Sequence, residues 1–227
     1  MNRRGYFLVL DGADGCGKST QATRLVARLE ARGLPVLHTR EPGGTDLGER
    51  LRALLLDPDL GDIAPMAEVF LYQASRAQLV DTVIEPALAQ GTIVVCERWH
   101  YATRAYQGAY QGVGRRAGDE ALRATARLAV GATEPDRAIL LDIETDIAHG
   151  RLGEDLDRVE ARGAAYRGEV ARRFREIFRE EPERMRVVPA VGSMEAVADK
   201  VWAVVQDLFP EAAAQDEPGS PAEAPRE

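Results

Sequence analysis

The sequence predicts an α/β fold in three layers, with helices on both faces of a doubly wound, five-stranded parallel sheet. The first observation is a set of five short apolar runs without the alternation of half-exposed strands, which is typical of strands buried on both faces. The second is that amphipathic stretches of helical length separate these runs, because alternating strands and helices favour parallel strands joined by right-handed crossovers. The apolar runs span residues 6–10, 34–38, 92–96, 138–142 and 185–189.

The elements follow one another along the chain. The first strand ends at a glycine-rich turn, after which Ala22, Leu25 and Leu29 share one face of a helix predicted for residues 18–32. The second strand leads into a polar loop with two adjacent glycines, and the three remaining strands have further amphipathic stretches between them. The later helices are predicted for residues 66–90, 119–130, 163–179 and 193–208.

One domain is the default for a chain of 227 residues, of which 45% are hydrophobic. We expect this domain to span residues 1–209. Residues 210–227 are rich in Pro, Ala and Glu and lack an apolar face. Such a segment does not offset the entropy cost of ordering, so it is predicted to be a disordered tail.

Composition excludes several classes of partner. A net charge of −8 argues against a nucleic-acid polymer, whose binding needs clustered cations. No apolar run reaches the roughly 18 residues of a membrane span, and the first residues do not resemble a signal peptide. Cys16 and Cys96 have neither metal-site spacing nor the density of a disulfide scaffold. We therefore expect a soluble cytoplasmic protein with reduced thiols. The composition is still compatible with binding of a small anionic ligand.

A candidate phosphate loop follows the first strand. Residues 10–20, LDGADGCGKST, contain G-x-x-x-x-G-K-S between a predicted strand and a predicted helix, the context that this motif requires. Glycines let consecutive N–H groups point inward, and the helix adds its unpaired N–H groups and positive dipole end. Lys18 would reach the β- and γ-phosphates, and Ser19 would hold Mg²⁺. The predicted ATP-binding residues are Gly12, Ala13, Asp14, Gly15, Cys16, Gly17, Lys18, Ser19 and Thr20.

This loop predicts a nucleoside triphosphate but leaves three activities open: a GTPase switch, an ATP-driven machine, or a phosphotransferase for a small acceptor. The guanine-binding motif N-K-x-D is absent, because the only lysine besides Lys18 is Lys200, in Ala-Asp-Lys-Val. Nothing in this short chain suggests the additional domains of a motor.

A candidate acceptor site follows the second strand. Residues 39–45, TREPGGT, place Glu41 at the carboxyl edge of the predicted sheet, where open α/β folds bind ligands, and Glu41-Pro42 is a candidate tight or cis turn. In the next helix, Phe70 is suited to stack on a base and Arg76 to hydrogen-bond its edge. The alternatives are an ordinary strand-to-helix loop, a core Phe70 and a solvated Arg76.

Six motifs occur in an order that resembles the bacterial thymidylate kinase family over roughly residues 5–208. Many families share the phosphate loop, whereas TREPGGT and AYQG are much more specific. The motifs are GADGCGKST at 12–20, TREPGGT at 39–45, LYQASRAQ at 71–78, Glu97-Arg98, AYQG at 105–108 and LDRVE at 156–160.

The resemblance implies the P-loop nucleoside monophosphate kinase fold, ATP-dependent phosphorylation of dTMP to dTDP with Mg²⁺, and a homodimer. Phe70 would stack on thymine, Arg98 would grip the acceptor phosphate, and Ser19 and Glu97 would hold Mg²⁺. A monophosphate-binding region would lie at about residues 40–80. The implied dTMP-binding residues are Asp14, Glu41, Arg52, Phe70, Arg76, Arg98, Thr103, Tyr106 and Gln107.

The family has two designs: one carries a catalytic arginine in the phosphate loop, and the other has glycine there and takes arginines from a mobile lid. Gly15 places this chain in the second design, with the lid at about residues 144–163. The catalytic residues implied by the resemblance are Lys18, Arg98, Arg151 and Arg158.

Three departures from the family pattern leave two alternatives to a thymidylate kinase function open. Glu97 replaces the usual aspartate, Ala102 replaces a common hydroxyl residue, and the lid has fewer arginines at alternate positions. The alternatives are a kinase for a related pyrimidine monophosphate such as dUMP, and a nucleotide-binding homologue with weakened catalysis.

Overall fold

A computed structural model of the protein describes residues 4–110, 118–153 and 156–210. Five parallel strands form one sheet. The predicted α/β fold is confirmed, and each strand boundary lies within two residues of its predicted position. The strands are β1 (Phe7–Asp11), β2 (Val36–Arg40), β3 (Ile93–Glu97), β4 (Arg137–Asp142) and β5 (Met185–Pro189). Their order in the sheet is β2-β3-β1-β4-β5.

Helices lie between the strands and after the last one. The helix predicted for residues 66–90 consists of two α-helices, Pro65–Leu79 and Glu85–Ala89, with a π-helical turn at Val80–Ile84 between them. The sequence pattern does not predict the helix His100–Ala109, because its first eight residues are all buried and such a helix has no polar stripe. The helices are α1 (Lys18–Glu30), α2 (Asp46–Leu56), α3 (Pro65–Leu79), α4 (Glu85–Ala89), α5 (His100–Ala109), α6 (Gly118–Val130), α7 (Thr145–His149), α8 (Ala164–Ile177) and α9 (Met194–Ala203).

Alternate residues of the central strand β1 face two separate cores. Phe7 and Val9 are fully buried in one core, to which α8 contributes Phe174. Leu8 and Leu10 are fully buried in the other, which α1 and α9 cover. Burial on both faces explains why the strand sequences are continuously apolar, and it produces the three layers.

The carboxyl ends of three adjacent strands meet at one edge of the sheet. In the strand register Leu10 pairs with Glu97, and Glu97 pairs with Arg40. After β2, a cis peptide bond between Glu41 and Pro42 turns the chain. The phosphate loop, the loop after β2 and the turn after β3 therefore converge at the edge where open α/β sheets bind ligands.

The tail predicted for residues 210–227 lies outside the described residues except for Pro210, and so do lid positions 154 and 155. Over the ranges that are described, no helix is both long enough and apolar enough to cross a membrane.

Candidate active site

The phosphate loop joins β1 to α1 in the conformation that its glycines allow. Gly12, Gly15 and Gly17 have positive φ angles of 143°, 77° and 96°, which other residues rarely adopt. Helix α1 begins directly after the loop, so its unpaired N–H groups and positive dipole end lie there. The Nζ of Lys18 donates to the carbonyl oxygens of Gly12 at 3.0 Å and Ala13 at 2.8 Å. This cradle of N–H groups with an ammonium group inside it suits a polyphosphate.

A close contact also requires glycine at position 15. A Cβ atom there would lie 2.0 Å from the carbonyl oxygen of Ala148 in α7. Any side chain at this position would push the phosphate loop away from α7, the helix that leads to Arg151. The close packing of the phosphate loop against α7 therefore explains why this chain has glycine at position 15.

Ser19 and Glu97 meet beside the phosphate loop. The Oγ of Ser19 donates to one Glu97 carboxylate oxygen at 2.5 Å, and the Nε2 of His38 lies 3.0 Å from the other. Burial alone would raise the pKa of Glu97, but these two hydrogen bonds hold it below its usual value. Among the described residues, no three Asp, Glu, His or Cys side chains form a metal site. The hydroxyl and carboxylate oxygens fit a Mg²⁺ ion that takes its other ligands from phosphates and water.

Asp11 is a buried carboxylate to which the sequence alone assigns no role. It is fully buried at the end of β1 and accepts from the backbone N–H groups of Gly12 at 2.9 Å and Trp99 at 3.2 Å. Burial raises the pKa of Asp11 to about 6, although the nearby Arg98 lowers it. This side chain ties the start of the phosphate loop to the turn after β3. Its one signal in the sequence is a charged residue ending a strand that is otherwise apolar.

Arg98 follows β3 with a φ of 70°, which is the one positive φ outside glycine in the described ranges and marks local backbone strain. Its guanidinium donates to the Gly12 carbonyl at 3.1 Å and to the Tyr106 hydroxyl at 3.3 Å, and it also contacts the Asp14 carboxylate. The Tyr106 hydroxyl donates to Asp14 at 2.7 Å. Burial alone would raise the pKa of Asp14, but Arg98 and Lys18 hold it below its usual value. A strained backbone thus holds a cation over the phosphate loop.

Two cavities share a wall at this edge of the sheet. The larger, of about 670 Å³, extends from the phosphate loop to Ser193 at the start of α9. The smaller, of about 130 Å³, lies between α2, α3, α5 and the predicted lid. The residues that line both cavities are Asp14, Glu41, Arg52 and Arg98.

Arg76 is the centre of a buried network in the smaller cavity. It is 2% exposed, and its guanidinium donates to Glu41 at 2.6 Å, Gln73 at 2.5 Å and Thr103 at 3.2 Å. Burial raises the pKa of Glu41 to about 7, although Arg76 lowers it. The structure brings Glu41, Arg76 and Thr103, all expected at the dTMP site, into one network and adds Gln73. Tyr106 and Gln107, also predicted, line the same cavity.

Phe70 does not lie in the smaller cavity. Its side chain is 56% exposed, whereas Tyr72 lines the cavity. Tyr72 precedes Arg76 by four residues and shares its helical face, but Phe70 precedes it by six residues and faces elsewhere. Phe70 is therefore not placed to stack on a base in this cavity, and the aromatic side chain that lines the cavity is Tyr72, four residues before Arg76.

The predicted lid contributes arginines to different places. Arg151 lines the larger cavity. Arg158, by contrast, donates to the Leu55 carbonyl at 3.0 Å and to a Glu68 carboxylate oxygen at 2.6 Å. Arg162 donates to the same Glu68 oxygen at 2.7 Å. The structure therefore places Arg158 beside α2 and α3 rather than at the phosphate loop, where its predicted catalytic role would require it.

Known proteins of one family are similar to this chain over most of its length. The profile of the family described as "Thymidylate kinase" matches residues 10–201. A thymidylate kinase of Bifidobacterium longum (strain DJO10A) is 41% identical over 212 residues, which cover 92% of this chain and 99% of the relative. The thymidylate kinases of Desulfosudis oleivorans and Roseiflexus sp. (strain RS-1) are each 39% identical, covering 88% of this chain and 96% and 93% of the relatives. Because the family profile covers most of the chain and these relatives align with it over nearly their whole length, the chain belongs to the thymidylate kinase family of enzymes.

Proposed function

We propose that the protein transfers the γ-phosphoryl group of ATP to dTMP, giving ADP and dTDP. The observation that carries this proposal is the pair of cavities that share Asp14, Arg52 and Arg98. One cavity contains a phosphate loop, and the other contains an aromatic ring beside a buried arginine network. Membership of the family supports the choice of ATP and dTMP as substrates.

The larger cavity would hold ATP. The triphosphate would lie along the N–H groups of residues 12–20, with Lys18 at the β- and γ-phosphates and Arg151 at the cavity wall. Ser19 and Glu97 would hold Mg²⁺, which when bound neutralises charge on the phosphate oxygens.

The smaller cavity would hold dTMP. Tyr72 would stack on the thymine ring, and Arg76, Thr103 and Gln107 would face its polar edges. The deoxyribose would lie beside Asp14 and Tyr106. The phosphate would lie beside Glu41, Arg52 and Arg98.

Phosphoryl transfer requires mainly alignment of two phosphates and neutralisation of charge, and it needs little proton abstraction. Arg98 lines both cavities, so its planar guanidinium is able to contact the acceptor phosphate and the transferring group. Lys18 and Arg151 would act from the ATP side. These three cations would surround the path of the phosphoryl group.

The catalytic unit in this proposal is residues 1–209. The monophosphate-binding region, about residues 40–80, would supply Arg52, Tyr72 and Arg76. The lid, about residues 144–163, would supply Arg151 to the ATP side and a wall to the acceptor side.

The proposal includes a homodimer in the cytoplasm. Helices α2 and α6 both pack against α3, and Leu54, Phe70 and Leu128 of these helices are 40%, 56% and 87% exposed. A second copy that covers these side chains would remove apolar surface from water. Light scattering should give twice the mass of the chain, and Phe70→Asp should halve that value, whereas a monomeric wild type would contradict the dimer.

The free cysteines Cys16 and Cys96 fit a reducing compartment.

An acceptor screen tests the reaction. The purified protein is mixed with ATP, Mg²⁺ and each of dTMP, dUMP, AMP, CMP and GMP, and ADP release is followed. We expect kcat/KM to be highest for dTMP, with dUMP lower by about tenfold, since one methyl group in a pocket is worth about 1–3 kcal/mol. Release of ADP with AMP, CMP or GMP but none with dTMP would refute the proposed function.

A further inference from the structure

Glu68 is a buried carboxylate of α3 that lines neither of the two cavities. Its Oε1 accepts from the side-chain amide of Gln107 at 2.7 Å, and its Oε2 accepts from Arg158 at 2.6 Å and Arg162 at 2.7 Å. Burial alone would raise the pKa of Glu68, but these three donors, Arg162 first, hold it below its usual value. The group is therefore an ionised carboxylate with donors on both oxygens.

An ionised carboxylate only accepts hydrogen bonds, so Glu68 fixes which way the Gln107 amide is turned. The amide –NH₂ of Gln107 faces Glu68, and none of the residues that the structure describes donates to its amide oxygen. Because Gln107 lines the acceptor cavity, this oxygen is left to accept from a ligand. Thymine and uracil offer a ring N3–H there, whereas the N3 of cytosine is itself an acceptor. The orientation set by Glu68 thus favours thymine and uracil over cytosine.

The other oxygen of Glu68 holds a wall of the same cavity. Arg158 and Arg162 flank Glu160, which lines the acceptor cavity together with residues 157 and 159. Arg158 is also bonded to the Leu55 carbonyl of α2 at 3.0 Å. Residues 157–162, which we call the acceptor wall, are therefore docked against α3 through one buried carboxylate and against α2 through two backbone carbonyl oxygens, those of Leu55 and Leu56.

We propose that Glu68 is the positioning residue of the acceptor site. Without touching the nucleotide, it turns Gln107 to accept a ring N–H and docks the acceptor wall over the pyrimidine. This inference rests on the proposed function, since it takes a pyrimidine monophosphate as the ligand. It assigns Arg158 to the docking of the wall rather than to the transferring phosphoryl group.

Glu68→Gln tests both proposed roles, the orientation of Gln107 and the docking of the acceptor wall. It keeps the size of the side chain, removes the charge and gives Gln107 an –NH₂ group to face. The matched control is Glu180→Gln: Glu180 also accepts from two arginines, Arg104 and Arg123, each at 2.7 Å, and it lines neither cavity. For each variant, kcat and KM are measured with dTMP and with dCMP, and Tm is recorded.

In Glu68→Gln we expect the KM for dTMP to rise about tenfold or more, as for the loss of a charge-assisted hydrogen bond. The ratio of kcat/KM for dTMP to that for dCMP should fall by about tenfold, with kcat for dTMP within about threefold of wild type. Glu180→Gln should keep the wild-type KM and ratio whatever its Tm. An unchanged ratio in Glu68→Gln, or a loss confined to kcat, would overturn the proposal.

Arg158→Gln keeps the proposal testable if Glu68→Gln does not fold. We expect a raised KM for dTMP with the wild-type ratio of dTMP to dCMP, because the bond between Glu68 and Gln107 is intact. A loss of about a hundredfold in kcat at unchanged KM, the size of a lost contact to the transition state, would instead place Arg158 on the transferring group and overturn this assignment. A wild type that does not phosphorylate dTMP would refute the proposed function, a result separate from any difference between variants.

Discussion

Alanine at Gly15 should destabilise the protein more than alanine at Gly17. Both residues have a positive φ, of 77° and 96°, so either substitution strains the backbone by about 1–2 kcal/mol. Only at Gly15 does the new Cβ meet another part of the chain. It would lie 2.0 Å from the carbonyl oxygen of Ala148, whereas a Cβ at Gly17 has no atom within 4 Å.

The size of the difference follows from that contact. A carbon and a carbonyl oxygen in contact lie about 3.3–3.6 Å apart, so the loop and α7 must separate by more than about 1 Å. Overpacking of this kind costs about 1–3 kcal/mol. We expect Gly15→Ala to lose about 2–5 kcal/mol and Gly17→Ala about 1–2 kcal/mol. At about 2–4 °C per kcal/mol for a chain of this size, their Tm values should differ by about 2–12 °C.

Thermal unfolding of the two variants and the wild type by calorimetry, in one buffer without nucleotide, measures this difference. Because α7 leads to Arg151, the KM for ATP should also rise in Gly15→Ala. A Tm for Gly15→Ala equal to or above that of Gly17→Ala would refute the steric explanation.

Two further predictions concern the acceptor side. Tyr72→Leu should raise the KM for dTMP about tenfold through lost stacking, while Phe70→Leu leaves this KM unchanged in the same ADP-release assay. Equal KM values for the two variants would refute stacking of Tyr72 on the base. Burial raises the pKa of Glu41 from its ordinary 4.5 to about 7, so the folded protein holds this proton more tightly than the unfolded chain does. Stability should therefore fall as pH rises from about 4.5 to about 7, by on the order of 3 kcal/mol. Denaturant titrations should show a slope in the wild type, to which the raised pKa of Asp11 also contributes, and a shallower slope in Glu41→Gln. A variant with the full wild-type slope would contradict the assignment.

The sequence predicts the parts of the fold that depend on local pattern. The five strands are recognisable because burial on both faces leaves uninterrupted apolar runs, and the phosphate loop is recognisable because its glycines and Lys18 are adjacent in the chain. Helix α5 escapes prediction because it is buried on all sides. The strand order β2-β3-β1-β4-β5 also depends on contacts between distant segments, which no local pattern contains.

The candidate site divides in the same way. The sequence predicts the helix that supplies an aromatic side chain to the base site. The choice between Phe70 and Tyr72 depends on which face of α3 lines the cavity. Glu68 has no local signal in the sequence, because its arginine partners lie 90 and 94 positions further along the chain. Asp11 gains its role from N–H groups that belong to two loops. Residues that act by holding others are found only once the chain is folded.

The most direct test of the central claim is the fate of the γ-phosphoryl group of ATP. The protein is incubated with Mg²⁺, dTMP and ATP labelled at its γ-phosphate, and the products are separated by chromatography. We expect the label in dTDP, in an amount equal to the ADP formed, and a loss of transfer in Arg98→Met. Label released as inorganic phosphate in the presence of dTMP, or transferred to AMP, CMP or GMP but not to dTMP, would contradict the claim.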